Sequence, residues 1–141
     1  MDLEKIFFHA YQLGIALVLA LPIAYNRERW SRGAGLRTFP LVAIASCAYM
    51  LVGMQVFDTV EAEARVMYGI IGGMGFIGGG AILKRDDKTM GTANAAALWN
   101  TGAVGISVAY SQYEIAIVLS LVSFIIFSVA APMKGSSDSN S

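Results

Sequence analysis

The sequence predicts an all-α membrane protein with five transmembrane helices, an external N-terminus and a cytoplasmic C-terminus. Two observations predict this fold class: five long runs without a charged residue, and an uneven distribution of basic residues between the loops. The composition agrees, because 56 % of the 141 residues are hydrophobic and only 14 % are charged. A soluble domain of this size would need more charged residues to cover its surface.

The five runs contain no Asp, Glu, Lys or Arg, and each is 18 to 25 residues long. A helix needs about 20 mainly apolar residues to cross the hydrocarbon layer of a bilayer. We therefore expect one transmembrane domain over residues 1–134. Its spans are predicted at 6–26, 38–57, 66–83, 92–110 and 115–133.

The basic residues predict the orientation. Eight of the ten lie in the first loop, the third loop or the segment after the fifth run. The positive-inside rule assigns that side to the cytoplasm. The other side carries only Lys5 and Arg65 beside six acidic residues.

The first and second runs and the C-terminal residues have simple interpretations. The first run follows an acidic segment, Met-Asp-Leu-Glu-Lys, so we expect an uncleaved anchor rather than a signal peptide. The single cysteine, Cys47, lies within the second run and is expected to be a small core residue. Residues 135–141 are polar and small, which predicts a disordered tail.

The third run is rich in glycine. Gly73, Gly75 and Gly78 have the spacing of a dinucleotide-binding turn. We reject that function because no acidic residue follows at the required distance and no strand precedes. Glycines four apart, such as Gly75 and Gly79, instead predict close packing between membrane helices, here with the fourth span. The alternative is an unwound segment at Gly78, Gly79 and Gly80 that lines a polar cavity.

The fourth run carries amides that are costly in a bilayer unless they are paired. Asn94 and Thr101 fall about 20° apart on a helix, and Asn100 lies roughly 120° away. These groups could bind an ion or a substrate, but the pattern favours a role in joining helices.

Four blocks of the sequence together resemble the MgtC/SapB family of membrane proteins. They are Gly73–Leu83 (GMGFIGGGAIL), Ala34–Thr38 (AGLRT), Arg65 eight residues before the glycine block, and Gly91–Trp99 (GTANAAALW). The resemblance covers residues 24 to 99, and the family has five membrane helices. Several positions depart from the family pattern and are neutral here: Asn26 stands for a glutamate, Gly69 for a glutamine, Met90 for a basic residue and Ala93-Asn94 for a polar pair. The resemblance therefore implies the fold more strongly than an ion-handling role.

The resemblance implies a function. Family members are bacterial inner-membrane proteins associated with growth in low magnesium and survival in a host, and they are not enzymes. It implies modulation of a membrane partner such as the F-type ATP synthase. Longer members carry a soluble C-terminal domain, which we expect to be lacking here.

Three function classes remain to be weighed. A cation transporter is the alternative to a regulator, but no carboxylate lies within the five runs. An enzyme is disfavoured because one His and one Cys make a poor catalytic set, and no cofactor, bound metal or nucleic acid is indicated. The expected partners are the lipid bilayer, another membrane protein and, left open, a second copy.

Two arginines in the family blocks are further candidates for function. For each we expect a structural ion pair or a contact with a partner protein. The candidate ion-pair partners are Asp86 or Asp87 for Arg37, and Glu61 or Asp58 for Arg65. The candidate functional or packing residues are Arg37, Arg65, Gly73, Gly75, Gly78, Gly79, Gly80, Asn94, Trp99, Asn100 and Thr101.

Overall fold

A computed structural model describes residues 2–30, 33–85 and 88–135 of the chain. These residues form five α-helices and one short antiparallel hairpin, so the predicted all-α class is confirmed. The helices are α1 (Leu3–Trp30), α2 (Thr38–Val56), α3 (Val60–Gly80), α4 (Thr92–Ala109) and α5 (Tyr113–Gly135). The hairpin strands, β1 (Leu83–Arg85) and β2 (Lys88–Met90), lie between α3 and α4.

Local sequence explains where two of the helices begin. The side chain of Thr59 accepts a hydrogen bond from the backbone N–H of Ala62, which caps the start of α3. Pro40 lies in the first turn of α2, where a missing backbone N–H costs no helical hydrogen bond. Both helices therefore begin with residues suited to that position.

Helix α4 lies at the centre of the bundle and packs against each of the other four helices. Helix α1 also packs against α2 and α5, whereas α3 packs mainly against α4 and α2. Helix α3 is therefore at an edge, and only Ile70, Met74 and Gly78 of its residues are buried.

Glycines bring α4 close to its neighbours. A Cβ atom at Gly105 would overlap the carbonyl oxygen of Ala43 in α2, and one at Gly102 would lie 2.7 Å from the Met74 side chain in α3. Small residues at such points let helix backbones approach closely. Any larger residue at Gly105 would push α2 and α4 apart.

The connection between α3 and α4 requires a left-handed residue. Gly91 has a φ of 87°, and a Cβ there would overlap the carbonyl oxygen of Ala81. Glycine tolerates both the positive φ and the close approach. The turn after the hairpin is thereby fixed beside the end of α3.

The helices differ from the predicted spans mainly at their ends. Helix α3 begins six residues before the predicted third span and remains α-helical through Gly80. The alternative of an unwound segment at Gly78–Gly80 is therefore wrong. Helix α5 includes Gly135, so the predicted tail loses its first residue, and the remainder, 136–141, lies outside the described residues.

Large apolar side chains cover the outside of the bundle. Phe76 is 85 % exposed, Tyr68 is 81 % exposed and Leu41 is 66 % exposed. Within the described residues, two helices, α1 and α2, are long and apolar enough to cross a membrane, and the apolar part of α5, Tyr113–Val129, is shorter. Helices α3 and α4 are long enough, with 21 and 18 residues, but are not apolar enough to meet the same criterion.

Candidate functional site

Polar side chains from three helices meet at the end of the bundle that carries the hairpin, here called the hairpin end. Arg27 of α1 donates a hydrogen bond from Nε to Oδ1 of Asn94 in α4, at 2.8 Å. The guanidinium of Arg27 also lies 4.8 Å from the ring centre of Phe127 in α5. A cation over an aromatic face is stabilised by the ring quadrupole. Arg27 therefore joins α1, α4 and α5.

Asn26 lies beside Arg27 and is 5 % exposed. Its Nδ2 atom donates to the Ser128 hydroxyl at 3.2 Å, but its Oδ1 atom is buried with no donor. Among the described residues it is the one buried side-chain oxygen or nitrogen without a partner. Such an atom costs about 1–3 kcal/mol of desolvation, which makes the site unusual.

We call these five residues, Asn26, Arg27, Asn94, Phe127 and Ser128, the hairpin-end cluster. It offers one guanidinium, two amides and a hydroxyl, and contains no carboxylate. Among the described residues, no group of three or more His, Cys, Asp or Glu side chains could hold a metal ion. The cluster can bind hydrogen-bonding or anionic groups but lacks the charged oxygens that a divalent cation prefers.

A second polar network lies at the opposite end of the bundle. The Tyr113 hydroxyl donates to Oε1 of the fully buried Gln12 at 2.6 Å, and Gln12 donates from Nε2 to the Ser111 hydroxyl. Nearby elements add a bond from the Tyr110 hydroxyl to Glu63. These bonds connect α1, α3 and the turn between α4 and α5.

Between the two ends, the polar groups bond to nearby backbone or to one another. Asn100 donates to the Ser123 hydroxyl in α5 at 2.7 Å. The hydroxyl of Ser120 donates to the carbonyl of Leu19, and that of Thr101 donates to the carbonyl of Ala97 within its own helix. The bonds of Asn100 and Ser120 join α5 to α4 and α1, and no buried side-chain nitrogen or oxygen among the described residues of this middle region lacks a partner.

The structure bears out the predicted helical faces of α4. Asn94 and Thr101 are both buried, while Asn100 turns toward α5 and Trp99 is 56 % exposed. The hydrogen bond to Arg27 gives Asn94 the predicted role of joining helices.

The predicted glycine contacts are partly wrong. A Cβ at Gly73, Gly75, Gly79 or Gly80 would meet nothing within 4 Å, so the expected contact of Gly75 and Gly79 with the fourth span does not form. Gly78 makes the contact instead, since a Cβ there would lie 3.2 Å from the carbonyl oxygen of Ala95. The four-residue spacing correctly predicted that glycines of α3 contact α4, but it selected the wrong face of α3.

The predicted arginine pairs have different outcomes. Arg65 is exposed and, among the residues that the structure describes, forms no ion pair with Glu61 or Asp58, so the ion-pair alternative is wrong for Arg65 and the contact with a partner protein stays a prediction. Arg37 is exposed at the start of α2. Its expected partners, Asp86 and Asp87, lie outside the described residues.

Sequence reasoning missed Arg27, Phe127, Ser128 and Gln12 as members of polar networks. Arg27 resembled an ordinary loop cation, and the helix α1 continues beyond it to Trp30. The available signal was Asn26, an amide at the end of an apolar run. Its burial depends on α5, more than 100 residues away in sequence.

Two hollows lie on the outside of the bundle between α3 and α4. One has a volume of about 200 Å³, the other about 310 Å³, and they share Met67 and Ile71. The first is lined mostly by apolar side chains, among them Met74 and Trp99, with Ala103 also on its wall. We call the two together the α3–α4 groove.

Comparison with known proteins assigns the family. The model of the MgtC family matches residues 13–136, which is most of the chain. The chain belongs to the MgtC family. No solved structure matches it.

Three curated proteins illustrate its place among MgtC relatives. The chain is 32 % identical to "Protein SrpB" of Synechococcus elongatus over 122 residues, 77 % of this chain and 67 % of that protein. It is 30 % identical to "Putative magnesium transporter YhiD" of Escherichia coli K12, over 84 % of this chain and 58 % of the relative. It is 28 % identical to "Protein MgtC" of Salmonella typhimurium, over 84 % of this chain and 52 % of the relative.

The chain therefore spans about half to two thirds of the length of these MgtC relatives. The matched region includes every member of the hairpin-end cluster. Asn26, which the sequence resemblance matches to a family glutamate, supplies the unpartnered Oδ1 atom of this cluster. The departure from the family pattern thus lies at the most unusual polar group of the fold.

Proposed function

We propose that this MgtC-family chain is a multi-pass protein of the bacterial inner membrane with five spanning helices, an external N-terminus and a cytoplasmic C-terminus. The exposed apolar surface supports this, since in water such a surface causes aggregation. The two polar networks also support it. Gln12 and Asn26 lie about 21 Å apart along α1, which suits groups near opposite faces of a bilayer.

We infer a non-enzymatic regulatory role in which the chain modulates a membrane partner such as the F-type ATP synthase, and so supports growth under magnesium limitation or in a host. One observation carries this inference. Apart from Asn26 Oδ1, the buried side-chain nitrogen and oxygen atoms of the described residues have hydrogen-bond partners, whereas an apolar groove stands open on the outside of the bundle. A protein built this way can accept a helix more readily than it can pass an ion.

The α3–α4 groove is the proposed docking surface for that partner. Its methionines, Met67 and Met74, are flexible and polarizable, so they can adapt to an incoming helix. Exposed Trp99 offers a large aromatic contact of the kind that dominates interfaces. Ala103 on the groove wall leaves space for a side chain of the partner.

Reconstitution with the purified F-type ATP synthase tests this function. We expect the chain to lower ATP-driven proton pumping in sealed vesicles. Ala103→Phe should abolish the effect because the new ring fills the groove, whereas Val118→Phe on exposed α5 should leave it intact. Equal pumping with and without the chain would contradict the proposal.

Magnesium transport is the second candidate. Two observations favour it: the unpartnered Asn26 Oδ1 atom, and the magnesium transporter named among the relatives. Desolvation opposes it, since moving even a single charge into a low-dielectric interior has an idealised cost of order 20 kcal/mol. Vesicles containing the chain alone should take up no more magnesium than empty ones. Saturable uptake that is lost on Asn26→Leu would favour the transporter.

A further inference from the structure

One face of α3 is exposed, although its composition suits a close contact. It contains Arg65, Gly69, Gly72, Gly73, Phe76 and Gly80, all exposed and all within about 60° of Phe76 around the helix. A Cβ at any of these four glycines would meet nothing within 4 Å. We call this surface the α3 face. It lies about 140–180° around the helix from Met67, Ile71 and Met74 of the α3–α4 groove.

The glycines of this face contact no other helix in the part of the chain that the structure describes. Each destabilises a helix interior relative to alanine, by roughly tenfold or less in an equilibrium constant per residue. This cost to helix stability is offset where the backbone of another helix packs closely against the glycine, as at Gly105 in the core. On the α3 face, none of the described residues comes within 4 Å of a Cβ at these glycines. Phe76 projects from the middle of these glycines and is 85 % exposed.

Opposite charges lie at one end of the same face. Glu61 and Arg65 are both exposed, one helical turn apart, and within the described part of the chain neither makes an ion pair. Glu61 lies about 40° around the helix from Arg65. The face therefore carries one acidic and one basic group that are free to bond to another molecule.

We propose that the α3 face binds a second copy of this chain across a two-fold axis. In such an interface residue i contacts residue j and j contacts i, so Glu61 of each copy meets Arg65 of the other. A partner with matching charges is thus supplied by the chain itself. Two copies inserted in the membrane in the same orientation have parallel α3 helices, and this arrangement allows the Glu61–Arg65 pairs to form.

The apolar part of the face is self-complementary in the same sense. The Phe76 ring of each copy lies over the glycines of the other, where no side chain blocks it. The interface goes beyond the regulatory role proposed above, because it uses the side of α3 that faces away from the groove. Both surfaces can be occupied at once.

Disulfide trapping in native membranes tests the position of the two-fold axis. In a Cys47→Ala background, Phe76→Cys should give a crosslinked dimer on oxidation. Val118→Cys, on the exposed side of α5, should give none under the same conditions. Absence of the Phe76→Cys dimer would overturn the proposal, and so would equal crosslinking at Val118→Cys.

A charge exchange between copies gives the sharper test. Glu61→Arg alone and Arg65→Glu alone each place like charges across the axis, so dimer formation by single-molecule counting in nanodiscs should fall about tenfold. Differently tagged copies of the two variants, when co-expressed, should form a mixed dimer at the wild-type level. Within one copy the charges stay mismatched, so only an interface between copies explains such rescue. Failure of the mixed dimer would overturn the proposal.

Two glycine variants complete the test. Gly72→Leu inserts a side chain into the α3 face and should weaken dimerisation by about tenfold or more. Gly75→Leu is matched to it, since Gly75 is equally open but lies about 100° from Phe76 around α3. It should dimerise like wild type. Equal dimerisation by Gly72→Leu and wild type would count against the α3 face.

Discussion

At the scale of single residues, the hairpin-end cluster contains two amides with different energetic roles. Asn94 accepts a hydrogen bond from Nε of Arg27, so removing the Asn94 side chain leaves the half-buried guanidinium without this acceptor. Asn26 makes one longer bond to Ser128 and leaves its own oxygen unpartnered. The two residues have the same size and are equally buried, so they form a natural comparison.

We predict that Asn94→Ala lowers the free energy of unfolding by about 1–3 kcal/mol, because a buried donor loses its acceptor. Asn26→Ala should cost less, since it also removes the unpartnered oxygen. The freed Ser128 hydroxyl can then bond to a backbone carbonyl of its own helix. Reversible unfolding in mild detergent measures both. An equal or larger cost for Asn26→Ala would contradict this account of the cluster.

Gly91 provides a test of backbone strain. Its φ of 87° and the nearby Ala81 carbonyl oxygen leave no room for a side chain. Gly91→Ala should lower the free energy of unfolding by about 1–3 kcal/mol. Gly14→Ala is the control, because Gly14 is helical with open space around it and should gain up to about 1 kcal/mol. If both variants unfold alike, the left-handed turn is not required.

At the scale of elements, α3 contains two kinds of glycine: those packed against α4 and those that face open space. A Leu side chain at Gly78 would meet the backbone of α4, whereas one at Gly75 would enter open space. Gly78→Leu should therefore destabilise the monomer by about 1–3 kcal/mol through overpacking. Gly75→Leu should leave the melting temperature of the monomer unchanged or slightly raised. Destabilisation by Gly75→Leu instead would restore the contact that the sequence predicted.

The sequence was sufficient to predict five helices, because each apolar run is long and is bounded by charges. It also placed Asn94 and Thr101 on one buried face of α4, since helical periodicity fixes that relation. It could not choose between the glycine faces of α3. Spacing by four occurs on several faces, and only the position of α4 decides which one is covered.

The hairpin-end cluster was largely unpredictable for a related reason. Arg27 and Asn94 are 67 residues apart, and Asn26 and Ser128 are 102 apart. No local sequence pattern predicts such pairs, because they form only when α1 packs against α4 and α5. The amide at Asn26 was visible in the sequence, but its unpartnered oxygen was not.

At the scale of the whole molecule, the central claim is that all five helices span a bilayer. Helices α1 and α2 meet a simple threshold of length and hydropathy. Charged residues and glycines lower the mean hydropathy of α3, and Asn94 and Asn100 lower that of α4. The assignment of these two helices as spans therefore rests on the exposed apolar surface and on the loop charges. If α3 failed to span, both the hairpin and the α4–α5 turn would change sides, and if α4 alone failed to span, only the turn would.

Thiol labelling in intact cells tests this claim most directly. With Cys47→Ala as background, cysteines are introduced one at a time by Gln112→Cys in the α4–α5 turn and Thr89→Cys in the hairpin, both at exposed positions. An impermeant reagent should label Gln112→Cys in intact cells, and Thr89→Cys only after the cells are permeabilised. Labelling of both variants in intact cells, of Thr89→Cys alone, or of neither variant would contradict the five-span topology.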